Sequence, residues 1–583
     1  MKRFGALAAL VFTAIAGLPQ AGAAVPVFPL KDVRAGMRAV GRTVFNGDKV
    51  EDFQAEILGV LENTGPRQSI ILARLSGGPL DHTGIMQGMS GSPVFIDGKL
   101  IGAVALAFPY ARDPIAGIRP IEEMLAEGVA SPPTRARLDN PAIPRQEVAF
   151  GDSRLTEVST PISFSGFTAA TIDQFTPQLR KLGLEPRQGI STGGASQLPI
   201  GDPKRLEPGS MISVELMTGD MSAGADGTLT YIDGSKVYAF GHKFLGVGPA
   251  SIPFTRSEVI ALLANVNTSF KISAARELMG VISEDRNTAI TGETGRRAEM
   301  VPLDITLTDD SIRGAAKRKD AFHMQVVRDP FLSPYLIQMA LFSAIDAAER
   351  SSGASSVSLK GAIELDGSRA PVPLRGIFAG DQSSAMQAAL SAATPLAYLM
   401  QGGFSDLNIK HVSLEVESQA EKKEMDISQV YLSRREAKPG DTVQLMVQLD
   451  RDGGTSLTRS MPYTIPPGTA AGTLYFTVAD GSQTSLTDLR QLLTETPHSS
   501  DQLISNVNRL RPTDKAYVRV WRPQPSFSIN GEEIPDPPPS LSLILSAAQS
   551  VSKTQNSKLA EMTIDAGEFL ITGSKTVQLE VKE

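Results

Sequence analysis

The sequence predicts a mainly β protein with α+β parts, divided into several domains. The chain has 583 residues, which at roughly 150 residues per domain corresponds to about four domains. Glycine and proline are abundant, with 52 and 39 residues, and this indicates many turns. Apolar runs flank the pairs Asn46-Gly47 and Asp97-Gly98, which is typical of β-hairpins because type I′ turns need positive φ at both central residues.

The composition excludes several classes of protein and of site. Lys and Arg number 56 against 63 Asp and Glu, a net charge of −7, so the basic surface of a nucleic-acid binder is not expected. The 41% of hydrophobic residues excludes wholesale disorder. The absence of cysteine excludes disulfides, thiolate catalysis and cysteine-ligated metals. With five histidines in the chain, we expect no metal and no cofactor.

The N-terminus reads as a secretory signal peptide. Lys2 and Arg3 precede an apolar run over residues 5–18, and the small-residue stretch Ala-Gly-Ala follows at 21–23. This predicts a signal peptide over residues 1–23; an uncleaved anchor is the alternative. The run is shorter than the about 20 residues of a membrane span, and no later segment has spanning length. We therefore expect an exported protein, periplasmic or extracellular, without a stable membrane span after signal removal.

Changes in composition and in the pattern of apolar residues along the chain predict the domain organisation. The segments are a β region at 26–130, a Pro- and Arg-rich linker at 131–147, a β-rich region at 148–310, an α+β accessory domain at 311–425 and an immunoglobulin-like region at 426–583. The last region has short strands separated by Pro-Gly turns, which is typical of an immunoglobulin-like β-sandwich, and helical sequence at 486–510 interrupts it.

Helices are expected at a few places within these regions. In the β-rich region the pattern predicts one helix over residues 172–182 and a second over 257–266. In the α+β domain, residues 334–350 and 384–400 are rich in Ala, Leu and Met, and a strand-like stretch at 357–365 separates them.

The most informative motif is Gly-Met-Ser-Gly-Ser-Pro at residues 88–93. Glycines on both sides of Ser90 permit a sharp turn that exposes its hydroxyl, and they allow the N–H groups of Gly88 and Ser90 to converge on one oxyanion. A strand, a two-residue turn and a second strand follow. This arrangement resembles the nucleophile loop and following hairpin of chymotrypsin-like serine proteases.

A serine nucleophile needs a base, and histidine is the usual one. The five candidates are His82, His242, His323, His411 and His498. Of these, His242 stands at the end of an apolar strand and directly after a glycine, where a rigid scaffold presents an imidazole to a cleft. His82 lies in a polar turn close to the serine in the chain.

Two blocks of the sequence resemble the SpoIVB-type serine peptidases of bacterial sporulation. The first is the motif at 88–93 with its hairpin, and the second is the stretch 227–233 that runs into Ala-Phe-Gly-His at 239–242. The segment 118–126, which contains Ile-Glu-Glu-Met-Leu, is also similar to the segment that follows the serine hairpin in that family.

The resemblance implies a fold and roles for two residues. The family is similar to trypsin-like double β-barrel proteases, so residues 26–130 would form the barrel half with the serine loop and 148–310 the half with the histidine. By this resemblance Ser90 is the nucleophile and His242 is the general base.

The sequence departs from the family in two ways. Here the serine precedes the histidine, although a site built from two barrels does not depend on chain order. The position of the family's acid is occupied by Ser76, and the nearest carboxylate is Asp81, with Asp233 and Asp285 as alternatives. We take Asp81 as the candidate orienting acid, and the third member of the triad stays unassigned.

These observations predict an exported serine endopeptidase that forms an acyl-enzyme. We expect its substrates to be proteins or peptides, its own chain among them. A catalytically inactive envelope or surface scaffold that keeps the peptidase fold is the alternative. A carbohydrate-binding envelope protein is a third option, and the single Trp argues against it because sugars stack on aromatic rings. The sequence does not indicate the oligomeric state.

Overall fold

The computed structural model describes most of the chain. The described residues are 25–109, 111, 113–126, 147–150, 153–189, 198–310, 317–348, 355–367, 369–380, 384–492, 497–524, 526–529, 532–535, 537–547, 552–554 and 556–583. The predicted signal peptide at 1–23 lies outside these residues, as does nearly all of the predicted linker at 131–147.

The fold is mainly β and contains a closed six-stranded β-barrel. The first elements in chain order are β1 Arg38–Val44, β2 Val50–Gly65, β3 Gln68–Ser76, α1 Leu80–Thr83, β4 Pro93–Ile96, β5 Lys99–Ala107, β6 Ile115–Pro120, α2 Ile121–Leu125, β7 Glu147–Phe150 and β8 Ser153–Glu157. Strands β4-β1-β2-β3-β6-β5 pair in this order, and β4 also pairs with β5. We call this closed set β1–β6 the N-terminal ring.

Each strand of the N-terminal ring contributes apolar side chains to one core. The core contains, in the order β1 to β6, one residue from each strand: Ala39, Phe53, Ile71, Val94, Ile101 and Ala116. The predicted turn Asn46-Gly47 joins β1 to β2, and Asp97-Gly98 joins β4 to β5, so both hairpins are confirmed. Asp97 and Gly98 both have positive φ, as the type I′ turn requires.

A second set of six strands closes in the same way. The elements are β9 Thr160–Ser165, α3 Ala169–Lys181, β10 Leu184–Gln188, β11 Met211–Gly219, β12 Ser222–Asp233, β13 Lys236–Ala239, β14 Gly248–Leu263, β15 Phe270–Arg286 and β16 Ala289–Thr294. Strands β12-β13-β16-β15-β14-β11 pair in this order and β11 also pairs with β12. We call β11–β16 the central ring. Its apolar core includes, one per strand, Ile212, Leu229, Val237, Phe254, Ile282 and Ile290.

The two helices expected in this region have different outcomes. The first is confirmed as α3, where the Thr168 hydroxyl accepts from the N–H of Thr171 as an N-cap. The second, over 257–266, is wrong, because residues 257–263 belong to β14. Strand β14 pairs along its length with β15 in a long antiparallel hairpin, and this cross-strand pairing overrides the local apolar spacing.

The sheet that contains the central ring continues into the next region. Its elements are β17 Met300–Asp309, β18 Arg318–Val327, α4 Leu332–Ala348, β19 Ser355–Leu365, β20 Val372–Gly380, α5 Ser384–Gln401 and β21 Ile409–Gln419. The two expected helices are confirmed as α4 and α5, and the expected strand between them is β19. Strand β21 pairs in parallel with β17, so one sheet extends across the predicted boundary near residue 310.

The C-terminal part forms further sheets. Its elements are β22 Glu424–Leu432, β23 Glu436–Ala437, β24 Thr442–Asp450, β25 Ser456–Thr464, β26 Gly472–Asp480, α6 Gly481–Leu492, α7 Ser500–Val507, β27 Lys515–Arg522, β28 Ser526–Ile529, β29 Glu532–Pro535, α8 Pro539–Ala547, β30 Ser552–Thr554, β31 Ser557–Asp565, β32 Leu570–Thr572 and β33 Ser574–Val581. The sheets β25-β24-β22-β32 and β23-β33-β26-β27-β31 share one apolar core. Within the part of the chain that is described, no helix is long and apolar enough to cross a membrane.

Candidate active site

The loop that carries the predicted nucleophile lies between the two rings. This serine loop, residues 88–92, hydrogen bonds to the N-terminal ring through the N–H of Gly91, which donates to the carbonyl of Val104 on β5 at 2.8 Å. From the other side, the N–H of Thr228 on β12 donates to the carbonyl of Ser90 at 2.8 Å. Both rings therefore fix the backbone of the loop directly.

Two threonine hydroxyls of the central ring add to this support. The Thr228 Oγ1 donates to the carbonyl of Gly88 at 2.9 Å, and the Thr230 Oγ1 donates to the carbonyl of Gly91 at 2.7 Å. Thr228 and Thr230 are fully buried, so water does not compete for these hydrogen bonds. The carbonyls of Gly88, Ser90 and Gly91 thus all accept hydrogen bonds from β12.

The loop leaves two backbone donors available on either side of Met89. Among the described residues, the N–H groups of Gly88 and Ser90 donate no hydrogen bond. Gly88 has φ +91, in the left-handed region that favours glycine. Two such N–H groups are what an oxyanion hole needs.

The two serines of the loop have different surroundings. The Oγ of Ser92 donates to the Oγ1 of Thr43 at 3.1 Å. Ser90 is 0% exposed, so the expectation that the turn exposes its hydroxyl is wrong. Its Oγ has no hydrogen-bond partner among the described residues, the imidazole of His242 included. Ser90 is therefore the serine whose hydroxyl is not engaged in a structural contact.

His242 lies directly after β13 and is 2% exposed. Its Nδ1 donates to the carbonyl of Lys243 at 2.6 Å. In the neutral ring this hydrogen bond places the proton on Nδ1 and the lone pair on Nε2, which is the form that a general base requires. A backbone carbonyl thus makes the contact that a carboxylate makes in the Ser-His-Asp triad.

The backbone before His242 has an unusual conformation. Phe240 and Gly241 both have positive φ, +68 and +71, and this region is strained for a bulky residue such as phenylalanine. The carbonyl of Gly241 accepts from the Nε of Arg119, a fully buried side chain of β6 in the N-terminal ring, at 3.4 Å. The segment before His242 is therefore held between the rings, as the serine loop is.

The three candidate acids lie in different places. Asp81 is exposed in α1. Asp233 is exposed at the turn between β12 and β13. Asp285 is 2% exposed and belongs to β15. The atom that accepts from the Nδ1 of His242 is the carbonyl oxygen of Lys243 rather than any of these carboxylates.

Asp285 fixes the loop that follows His242. Its carboxylate accepts from four consecutive backbone N–H groups, those of Phe244 at 2.7 Å, Leu245 at 2.6 Å, Gly246 at 2.6 Å and Val247 at 3.3 Å. Burial raises the pKa of Asp285, and the four N–H donors act in the opposite direction. Asp285 thus acts on the histidine indirectly, because the loop that it fixes begins with the Lys243 carbonyl.

We expect Asp285→Asn to destabilise this loop, because an amide offers one acceptor oxygen and places an NH₂ group against backbone donors. The expected loss in the free energy of unfolding is about 1–3 kcal/mol, measured by denaturant titration. The matched control is Asp233→Asn, an exposed aspartate of the same ring, which should change little. Equal stabilities of the two variants would contradict the role given to Asp285.

A small pocket borders the histidine. Its lining includes His242, Glu157, Thr160 and Leu182. Glu157 is buried and is the one carboxylate among the described residues that line this pocket. Across the described part of the chain, no group of three or more His, Cys, Asp and Glu side chains is placed to hold a metal ion.

The residues that surround the serine loop and His242 were not predicted from the sequence. Thr228 and Thr230 alternate with a leucine, and this two-residue period was the available signal for two polar side chains on one face of a strand. Arg119 and Glu157 carried no such signal. Their burial depends on partners that are distant in the chain.

The chain was compared with family models, with curated proteins and with solved structures. Residues 12–125 match the family model described as SpoIVB peptidase S55. This span includes the N-terminal ring and the serine loop, and it ends before His242. A search of the curated proteins and a search of the solved structures each found no match.

Proposed function

We propose, from the match of residues 12–125 to the SpoIVB peptidase S55 model, that the chain is a member of this family and an exported serine endopeptidase acting on a protein or peptide substrate. One observation carries the proposal beyond the family match. The loop with Ser90 and the segment with His242 are both fixed at the junction of the two rings, by residues from both.

The proposed reaction is acyl transfer. The Oγ of Ser90 attacks the substrate carbonyl while the Nε2 of His242 takes the hydroxyl proton, and the oxyanion accepts hydrogen bonds from the N–H groups of Gly88 and Ser90. The C–N bond then breaks, and the leaving amine receives the proton from the imidazole. Water, activated by the same imidazole, hydrolyses the ester and restores the serine.

The architecture in this proposal follows the trypsin-like double β-barrel. The N-terminal ring is one barrel and the central ring is the other, and the site lies between them. The strand pairings that close each set of six strands support this reading. Residues 311–425 form an α+β accessory part and 426–583 an immunoglobulin-like part; two sheets around one core support the latter.

The protein is proposed to act in the periplasm or outside the cell, and its own chain is proposed as one substrate. The positive N-terminus followed by an apolar run supports export. The complete absence of cysteine means that folding in an oxidising compartment needs no disulfide pairing.

We expect a fluorophosphonate probe to label the wild-type protein and labelling of Ser90→Ala to fall to background, because the probe reacts with an activated serine hydroxyl. The matched control is Ser76→Ala, which removes an exposed serine hydroxyl at the end of β3 and should still be labelled. Persistent labelling of Ser90→Ala would remove Ser90 from the mechanism.

A catalytically inactive scaffold that keeps the peptidase fold is the second candidate. The observation that favours it is the full burial of Ser90, whose hydroxyl forms no hydrogen bond with the imidazole. Self-cleavage during expression separates the two candidates. The enzyme gives fragments that vanish in Ser90→Ala, whereas the scaffold gives one intact band for both proteins.

A further inference from the structure

A buried lysine lies beside the serine loop. Lys271 on β15 of the central ring is 2% exposed, and its Nζ donates to the Oγ1 of Thr43 on β1 of the N-terminal ring at 2.7 Å. A buried ammonium group is costly unless it is paired and hydrogen bonded, so its presence between two rings needs an explanation.

The hydrogen bonds of Lys271 lead to the serine loop. The Oγ1 of Thr43 that accepts from Lys271 also accepts from the Oγ of Ser92. The Ser92 Oγ lies 3.4 Å from the Oγ1 of Thr228, which in turn donates to the carbonyl of Gly88. Hydrogen bonds therefore join the ammonium group to Ser92 at one end of the loop, and the Ser92 Oγ lies in polar contact with the threonine that bonds to Gly88 at the other end.

Lys271 also contacts the loop through its backbone and its methylene groups. Its N–H donates to the carbonyl of Gln87 at 3.2 Å. A Cβ at position 88 would lie 3.3 Å from the Cδ of Lys271, so the side chain packs directly against Gly88. Gly88 carries one of the two proposed oxyanion donors.

The charge of Lys271 depends on its buried neighbours. Asp226 on β12 is the carboxylate that raises the pKa of Lys271, while burial is the larger effect and lowers it to about 7. Burial raises the pKa of Asp226 to about 6 and that of Glu215, next to it on β11, to about 7. On β10, the guanidinium of Arg187 donates to the side chain of Gln87 at 2.6 Å.

We propose that Lys271 is a positioning residue for the acyl-transfer reaction, whose ammonium group holds the serine loop in its reactive conformation through Thr43 and Ser92. The held conformation is the one that presents the hydroxyl of Ser90 and the N–H of Gly88. This inference rests on the proposed function. Because misplacement of a reacting group by about 1 Å costs about 100-fold in rate, loss of this support should slow acylation strongly.

The first test is a pair of variants at the hydroxyl that joins the lysine to the loop. Thr43→Val keeps the shape of the side chain and removes the hydroxyl, whereas Thr43→Ser keeps the hydroxyl. We expect Thr43→Val to lower the rate of fluorophosphonate labelling by about 10- to 100-fold and Thr43→Ser to remain near wild type. Equal rates for the two variants would overturn the proposal.

The second test is the pH profile of labelling, which a purely structural role would not reshape. In the wild type, Lys271 loses its charge as pH rises through about 7, the charge-assisted hydrogen bond to Thr43 weakens, and labelling should fall. Lys271→Met should be slower and lack this falling limb, while Lys236→Met, an exposed lysine of the same ring, should match the wild type. Asp226→Asn removes the charge that raises the pKa of Lys271, so the falling limb should move to lower pH.

Hydrogen exchange separates failure of this inference from failure of the proposed function. Exchange at the amides of residues 88–92 should be faster in Lys271→Met and Thr43→Val than in the wild type, whether or not the probe reacts. If the wild type is not labelled but exchange is faster in both variants, the peptidase function is refuted and the role of Lys271 in positioning the loop stands. Unchanged exchange, or a Lys271→Met variant that keeps the falling limb, would refute the inference itself.

Discussion

Gly91→Ala is expected to destabilise the protein by about 2–6 kcal/mol and to abolish probe labelling. A Cβ at position 91 would lie 2.0 Å from the carbonyl oxygen of Thr228 and 2.5 Å from the N of Phe240. Both are backbone atoms of the central ring, so they cannot turn away as a flexible side chain could. Overpacking of this kind costs about 1–3 kcal/mol, and the φ of +90 adds about 1–3 kcal/mol for a residue other than glycine.

The matched control is Gly98→Ala in the hairpin that follows the serine loop. Gly98 also has positive φ, +74, but a Cβ there meets nothing within 4 Å. The stability lost in Gly98→Ala therefore measures only the cost of placing alanine at positive φ. This variant should fold and retain labelling. If thermal unfolding shows the same loss of stability for both variants, the close approach of the serine loop to the central ring is not a stabilising contact.

His242→Gln is expected to lower the labelling rate by about 10²–10⁴-fold, the range that general base catalysis usually contributes. Glutamine can still donate to the carbonyl of Lys243 but offers no basic nitrogen, so the loss should be chemical rather than structural. Thermal unfolding should remain close to that of the wild type.

The control for this variant is His82→Gln. His82 is exposed in α1 and is the histidine nearest in sequence to Ser90, so it tests whether chain proximity or the junction of the rings selects the base. Its labelling should not change. A loss with His82→Gln and none with His242→Gln would reverse the assignment of the base.

Local patterns predicted much of the fold. The hairpins at Asn46-Gly47 and Asp97-Gly98 were predictable from these pairs of turn residues. Asp97 and Gly98 both have the positive φ of a type I′ turn, whereas Asn46 does not, and a five-residue connection joins β1 to β2. Helices α4 and α5 were predictable because their sequences are long runs rich in Ala, Leu and Met, which favour helices, and α3 because its sequence is amphipathic.

The wrong helix at 257–266 shows where local patterns fail. Its apolar residues have a spacing that suits a helix, but residues 257–263 pair with β15 as part of a closed ring. Closure requires every strand to find two partners, and this condition is not visible in a window of ten residues. Tertiary pairing therefore decided the secondary structure.

In the candidate site, too, some residues could be predicted from a local motif and others could not. The serine loop was recognisable because its glycines and serine lie within six residues, and His242 because it directly follows an apolar strand and a glycine. Lys271 and Thr43 were not recognisable, since they are 228 positions apart and neither has a local motif. Asp285 was considered as an acid for the imidazole, yet its carboxylate contacts the backbone of the following loop.

The location of the site also explains why chain order matters little. The serine loop bonds to β5 and β12, and the segment before His242 bonds to β6, so each half of the site has contacts to the ring that does not carry it. Either half can come first in the chain as long as the rings meet in this orientation. The family match to residues 12–125 and the histidine block beyond it are compatible for this reason.

The most direct test of the account is peptide mapping of the wild-type protein after reaction with a fluorophosphonate probe. Tryptic cleavage after Arg74 and Lys99 isolates a peptide of residues 75–99 with three serines, Ser76, Ser90 and Ser92. Fragment ions that place the phosphonyl group on Ser90 alone are the predicted result. A wild-type protein that acquires no adduct, or acquires it on a serine outside this loop, would contradict the assignment of Ser90 as the nucleophile.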